Sequence, residues 1–222
     1  MATSGSYDFS LDVSEIIEEA YERCGLEVRT GYDATTARRS LNIMFAEWAN
    51  RGLNLWTVKQ ATQALTQGTS AYTLTSDKIV DLLEVSLRRD GTDFELKTIS
   101  RGEYSTLPNK TTQGRPSQYY FDRQIAPVIN LWAVPENSTD QLIYYYVQRI
   151  EDADALVNTT DTPFRFYPCM VAGLAYYIAM KRSPERVQLL KTVYEEEFQR
   201  AADEDEGRTP LKLQPSLQYL RV

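Results

Sequence analysis

Apolar residues recur at helical spacing near both ends of the chain and in shorter, strand-like runs between them. Val13, Ile16, Ile17, Ala20 and Cys24 fall three or four residues apart, and Asp12 with Glu15 has the layout of a capping box. A first helix is therefore predicted to begin there and to end at Gly25. A second is predicted from Asp33, read as its N-cap, to Asn50, with Ala37, Leu41, Met44, Phe45 and Trp48 on one face and Gly52 closing it. A linker of about seven residues between the two suits an antiparallel helical pair. Helical spacing returns at Thr162-Pro163, a cap followed by proline at the first helical position, and Phe166, Met170, Leu174, Tyr177 and Ile178 then share a face. Ser183-Pro184-Glu185 repeats the start signal, after which Val187, Leu190, Tyr194 and Phe198 form an apolar stripe.

Between the helical regions the punctuation is glycine and proline. Gln60 to Leu65 and Ala71 to Leu74 flank the polar Thr66-Gln67-Gly68-Thr69-Ser70 and are predicted to pair as a β-hairpin. Ile79 to Arg88 and Phe94 to Lys97 flank Asp90-Gly91, a strong turn signal, and predict a second hairpin. Ser100 with Glu103 opens a short helical turn that Pro108 stops. Ser117 to Arg123, Val128 to Val134 and Leu142 to Ile150 complete the strands. The run Leu142-Ile143-Tyr144-Tyr145-Tyr146-Val147 has no polar alternation, so both its faces need cover from the rest of the domain or from a neighbouring subunit.

These elements predict an α+β fold: an antiparallel helical bundle from residues 1–55 and 161–206, a mostly antiparallel β insert over 56–160, and an extended arm over 207–222. A chain of 222 residues is long enough to bury a proper core. Cys24 and Cys169 sit in apolar helical patterns and are expected to be reduced core residues. The longest apolar run, 169–180, falls short of the roughly 20 residues that span a bilayer, and Met1 to Ser10 lacks a signal-peptide pattern. No membrane anchor is expected.

Composition changes this picture in three ways. The 15 tyrosines, against 7 phenylalanines and 3 tryptophans, lean toward protein interfaces, because each pairs a large apolar face with a hydroxyl that wants a partner. The net charge of −7 speaks against a generic nucleic-acid coat, and nearly all of it sits in Glu195, Glu196, Glu197, Asp203, Glu204, Asp205 and Glu206, opposed only by Arg200. Beyond that stretch, 207–222 carries Arg208, Lys212 and Arg221 and no acid. The complete absence of histidine removes every Ser-His or Cys-His nucleophile pair and every His-ligated metal. No Walker loop and no dinucleotide-binding glycine motif is present, so nucleotide chemistry is not expected. A carboxylate pair remains the one route to catalysis, yet the obvious acid clusters lie opposite the apolar stripes, where solvated charge is the default. The locally basic segment from Lys97 to Arg115, with Arg101 and Tyr104, reads first as a surface loop with solvated charges and secondly as a nucleic-acid patch, since arginine near aromatics can clamp phosphates and stack bases.

The order of these pieces resembles the tail adaptor proteins of short-tailed bacteriophages. The resemblance runs through Leu41-Asn42-Ile43-Met44-Phe45-Ala46-Glu47-Trp48-Ala49-Asn50-Arg51-Gly52, Leu53-Asn54-Leu55-Trp56, Ala71-Tyr72-Thr73-Leu74 and Ile99-Ser100-Arg101-Gly102-Glu103-Tyr104. It continues in Gly114-Arg115-Pro116, Leu131-Trp132-Ala133-Val134-Pro135 and Pro163-Phe164-Arg165-Phe166-Tyr167-Pro168. It implies a homo-oligomeric ring of twelve copies in the virion, made in the host cytoplasm and joining the portal protein to the lower tail protein (nozzle or tail tube). The resemblance also implies that double-stranded DNA passes through the ring without sequence-specific binding and that no cofactor takes part. On this expectation Arg208, Leu211, Lys212, Leu213, Leu217, Tyr219, Leu220 and Arg221 form a portal-binding arm. Tyr144, Tyr145, Tyr146, Arg101, Tyr104 and Arg115 are candidates for the subunit interface, and Glu195, Glu196, Asp203 and Glu204 for the channel face. The competing expectation is a virion-associated cell-wall hydrolase at the same joint.

Overall fold

The computed structural model describes residues 5–6, 8–52, 55–74 and 78–205; the expected arm at 207–222 lies outside the described residues. In chain order the elements are α1 (Val13–Arg23), α2 (Gly31–Arg51), β1 (Val58–Ala64), β2 (Ala71–Thr73), β3 (Ile79–Arg89), β4 (Thr92–Glu95), β5 (Lys97–Thr98) and α3 (Arg101–Thr106). There follow β6 (Gln113–Gly114), β7 (Gln118–Asp122), β8 (Val128–Trp132), β9 (Val134–Pro135), β10 (Gln141–Gln148), α4 (Tyr167–Arg182) and α5 (Val187–Asp205). Among the described residues the fold is mixed α+β, with five α-helices and sheets that are antiparallel apart from two short parallel pairs.

The helix starts follow local hydrogen bonding. Asp12 accepts from the Glu15 N–H at 2.8 Å while Glu15 accepts from the Asp12 N–H at 3.0 Å, so two donors that a helix start leaves open are satisfied reciprocally. The same device opens α3 at Ser100 and Glu103. At α2 it corrects the sequence expectation, because the N-cap is Thr30 and Asp33 is the third helical residue, reaching back to the Thr30 N–H at 3.2 Å. The start expected at Thr162-Pro163 is also displaced. A 3-10 turn, Phe164–Phe166, precedes α4, Pro163 stands before it without a side-chain cap, and the proline in the first turn of α4 is Pro168.

One apolar cluster joins α1, α2, α4 and α5. In α4 every residue from Cys169 to Ala175 is buried, as are Ile178 and Ala179, so the helix is covered around its circumference by α1, α2 and α5. Burial pushes the Cys24 and Cys169 thiols up, as suits core residues without a disulfide. Trp48, fully buried, sits at the meeting point, with ring centroids 5.7 Å from Phe45, 5.6 Å from Phe166 and 5.8 Å from Phe198.

The β strands build a second core from two four-stranded sheets, ordered β1-β10-β3-β4 and β2-β8-β7-β5. The hairpin predicted around Asp90-Gly91 forms between β3 and β4, with positive φ at both turn residues, 50° and 78°. The hairpin predicted around Gly68 does not. The tip turns, with the Thr69 N–H donating to the Thr66 carbonyl at 3.1 Å, but β1 pairs with β10 and β2 with β8, in different sheets. At the tip the Tyr72 hydroxyl accepts from the Thr66 N–H at 2.9 Å and donates to the Thr66 carbonyl at 3.1 Å, so both main-chain groups of Thr66 are taken by a side chain.

Gly173 marks the closest approach of three helices. A Cβ there would lie 2.4 Å from the Met44 sulfur and 2.6 Å from the Tyr194 ring. Gly173→Ala gains about 1 kcal/mol of helix propensity but overpacks the seam at a cost of about 1–3 kcal/mol, so a net loss is expected. Urea denaturation checks it: the midpoint should fall, and a midpoint that rises would show that the seam has room.

Candidate interaction surfaces

Glu195 and Glu196, expected on a channel face, lie on α5 and are exposed, but they are not free charges. Arg51, at the end of α2, donates to both oxygens of Glu195, at 2.6 and 2.9 Å, and also to Glu47. Its guanidinium lies 4.8 Å from the Tyr194 ring centroid and 4.5 Å from that of Phe198. The buried Tyr194 hydroxyl donates to Glu47 at 2.7 Å and accepts from the Trp48 indole N–H at 2.8 Å. These groups form one closed network between α2 and α5. Burial pulls the Arg51 pKa down, but the hydrogen bonds to Glu195 and Glu47 outweigh it and the net direction is up. The Arg51 hydrogen bond in turn holds the Glu195 carboxyl below its ordinary range, and burial followed by Glu47 pushes the Tyr194 phenol up.

Further along α5, Arg200 lies 2.7 Å from Glu197 and 3.9 Å from Glu196, and Asp203 accepts from Gln199 at 2.6 Å. Asp205 is buried, accepting from the Leu55 N–H at 2.7 Å and pairing with Arg165. It is a tether inside the subunit rather than surface charge. Asp203 and Glu204 are exposed on the same stretch. The acidic surface is therefore weaker than its formal charge.

The tyrosine triplet divides by the two-residue period of β10. Tyr144 is 4% exposed and packs in the insert core beside Tyr146, so it is unavailable to a neighbouring subunit, contrary to the expectation for the triplet. Tyr145, on the opposite face, is 41% exposed and accepts from Gln60 at 3.2 Å, in register with Gln60 on one side and Glu84 on the other. Ile143 shares that face and is buried, so the cover expected for both faces is complete at Ile143 and absent at Tyr145. The basic segment forms two smaller groupings. Tyr104 stacks on Tyr120 at 5.6 Å with the Lys110 ammonium 5.7 Å away, whereas the Arg115 guanidinium lies 4.3 Å from the Phe94 ring. Arg101 is exposed at the start of α3. The structure thus brings Tyr104 near Lys110 and Tyr120, but among the described residues Arg101, Tyr104, Arg115 and Tyr145 do not form one contact network.

The eight candidate arm residues from Arg208 to Arg221 lie outside the described residues. Sequence reasoning passed over Arg51 and Glu47, although their spacing of four residues on a helix was a visible sign of an ion pair. Among the described residues no group of histidine, cysteine or acidic side chains has metal-binding geometry, and no helix is long and apolar enough to cross a membrane.

The profile of the family described as SU10 adaptor protein matches residues 11–214. No curated protein matches the chain.

Two measurements check the α2–α5 network. Tyr194→Phe leaves the Trp48 N–H buried without its acceptor and is expected to cost about 1–3 kcal/mol in chemical denaturation. The folded Glu195 pKa lies below the ordinary 4.5, so its contribution is full above that pH and is lost as pH falls through the folded value. The stability gap between wild type and Glu195→Gln should therefore be widest at neutral pH and close in acid. A gap that stays constant down to pH 3 would refute the pairing.

Proposed function

Because the chain belongs to the SU10 adaptor protein family, we propose that it is a structural virion subunit of the ring that joins the phage portal to the lower tail and surrounds the path of the DNA. The observation that carries this reading is the family match itself, which spans both helical regions and the whole β insert. A phage adaptor works by holding other proteins in place, and the features found here are those of a holding protein. The α2–α5 seam is closed by an ion pair, Tyr145 stands exposed on a sheet face, and α5 bears an acidic outer side.

Within that role Tyr145, with Tyr104, Arg101 and Arg115, supplies contacts to adjacent subunits. Residues 208–222, with Arg208, Lys212 and Arg221 among leucines, supply the contact to the portal. Glu196, Asp203 and Glu204 present like charge to passing DNA, which discourages adhesion, while Glu195 is partly neutralised by Arg51. Twelve copies form the ring, and no cofactor takes part.

Electron microscopy of the purified chain mixed with its portal tests the reading directly. A ring of additional density at the narrow end of the portal is expected. Free portal beside free subunit, at concentrations where both are folded, would overturn it. A chain ending at residue 207 keeps every described residue of both cores and is expected to stay folded and to lose the ring.

A further inference from the structure

A groove of about 460 Å³ runs along the outer side of α1 where it meets the start of α4. Its floor is apolar, made by Phe9, Leu11, Pro168 and Val171, and Phe9 is 75% exposed. Its rim is acidic: Glu15, Glu18, Glu19 and Glu22 line it against one cation, Arg23, which is already 2.9 Å from Glu19. Glu15 is occupied by the N-cap of α1. Glu18 and Glu22 have no ion-pair partner among the described residues. An apolar floor with unpaired acids along its edge fits a segment that is both apolar and basic.

The chain carries such a segment, and it follows Asp205, which is tied to the turn that leads into the groove. Residues 207–222 hold Arg208, Lys212 and Arg221 without an acid, together with Leu211, Leu213, Leu217, Tyr219 and Leu220. Asp205 is fixed to Arg165, two residues before Tyr167, which lines the groove. From Glu15 to Glu22 the rim extends about 10 Å along the helix, whereas fifteen residues in extended conformation reach about 50 Å. We propose that residues 208–222 of the free subunit dock in cis in this groove, leucines and tyrosine on the floor and basic side chains against Glu18 and Glu22. Tethering this close gives an effective concentration on the order of millimolar, so even weak complementarity fills the seat. The acidic rim holds the segment until a competing surface takes it. The inference concerns the free subunit and does not depend on the ring.

A nitroxide on Leu217→Cys in the full-length protein tests it, since the native Cys24 and Cys169 are buried thiols with raised pKa and label slowly. In the isotope-labelled, spin-labelled protein, amide signals of Leu11, Glu18, Glu22 and Val171 should broaden while that of Tyr145 does not. The broadening should fall at least about twofold in Glu18→Gln/Glu22→Gln and likewise in high salt, because exposed charge pairs are screened. Absent broadening at the groove, or broadening indifferent to both changes, overturns the proposal. So does broadening when spin-labelled protein without isotope is mixed with isotope-labelled protein without spin label, because the occupant is then a neighbouring copy. No portal is present, so failure here leaves the adaptor reading intact, and absence of a portal-bound ring leaves this result intact.

Discussion

A helix that is apolar around its whole circumference has to be enclosed, and α4 is such a helix. Seven consecutive buried residues, Cys169 to Ala175, leave no side that water can wet. The other three long helices are arranged by that requirement. Since α1 and α2 come from the start of the chain and α4 and α5 from its end, the helical core cannot close until everything between has been made. The β strands complete their own core from a separate set of side chains, so each part meets its burial requirement with its own residues.

The seam between α2 and α5 shows how that closure is made specific. Apolar contact alone would permit sliding, whereas Trp48, Tyr194, Glu47, Arg51 and Glu195 form bonds with one set of partners. Gly173 sets the approach distance, since any larger residue would push Met44 and Tyr194 away. The network therefore fixes the position along the helix axis, and the glycine fixes the separation.

What could be read from the chain followed the range of the interaction. The capping boxes at Asp12 and Ser100, the Asp90-Gly91 turn and the buried α4 are written within a few residues and were legible. The start of α2 was misplaced because Asp33 is as good a cap by type as Thr30, and only the reciprocal bond separates them. The pairing of Val58 with Val147 joins residues far apart in the chain, so nothing near Val58 announces it. A tyrosine triplet gives no phase, so Tyr144 in the core and Tyr145 outside could not be told apart before β10 had neighbours. Glu195 looked like free acid because its partner Arg51 is 144 residues distant. The family relation was legible from the order of segments, none of which is diagnostic alone.

Asp205 joins three distant places in the chain with one carboxylate. It holds Leu55, where the chain leaves the helices for the strands, and Arg165, where it returns, and it is itself the last residue of α5. One carboxylate thus ties together the exit of the chain from the helices and its return, beside further ties from Asn42 to Ala153 and from Val13 to Asn158. Tension applied through the C-terminal segment would reach that carboxylate first and pass along α5 and the turn before α4, with the sheets outside the line of load. A fold tied this way can be pulled at the end of α5 while its strands keep their register.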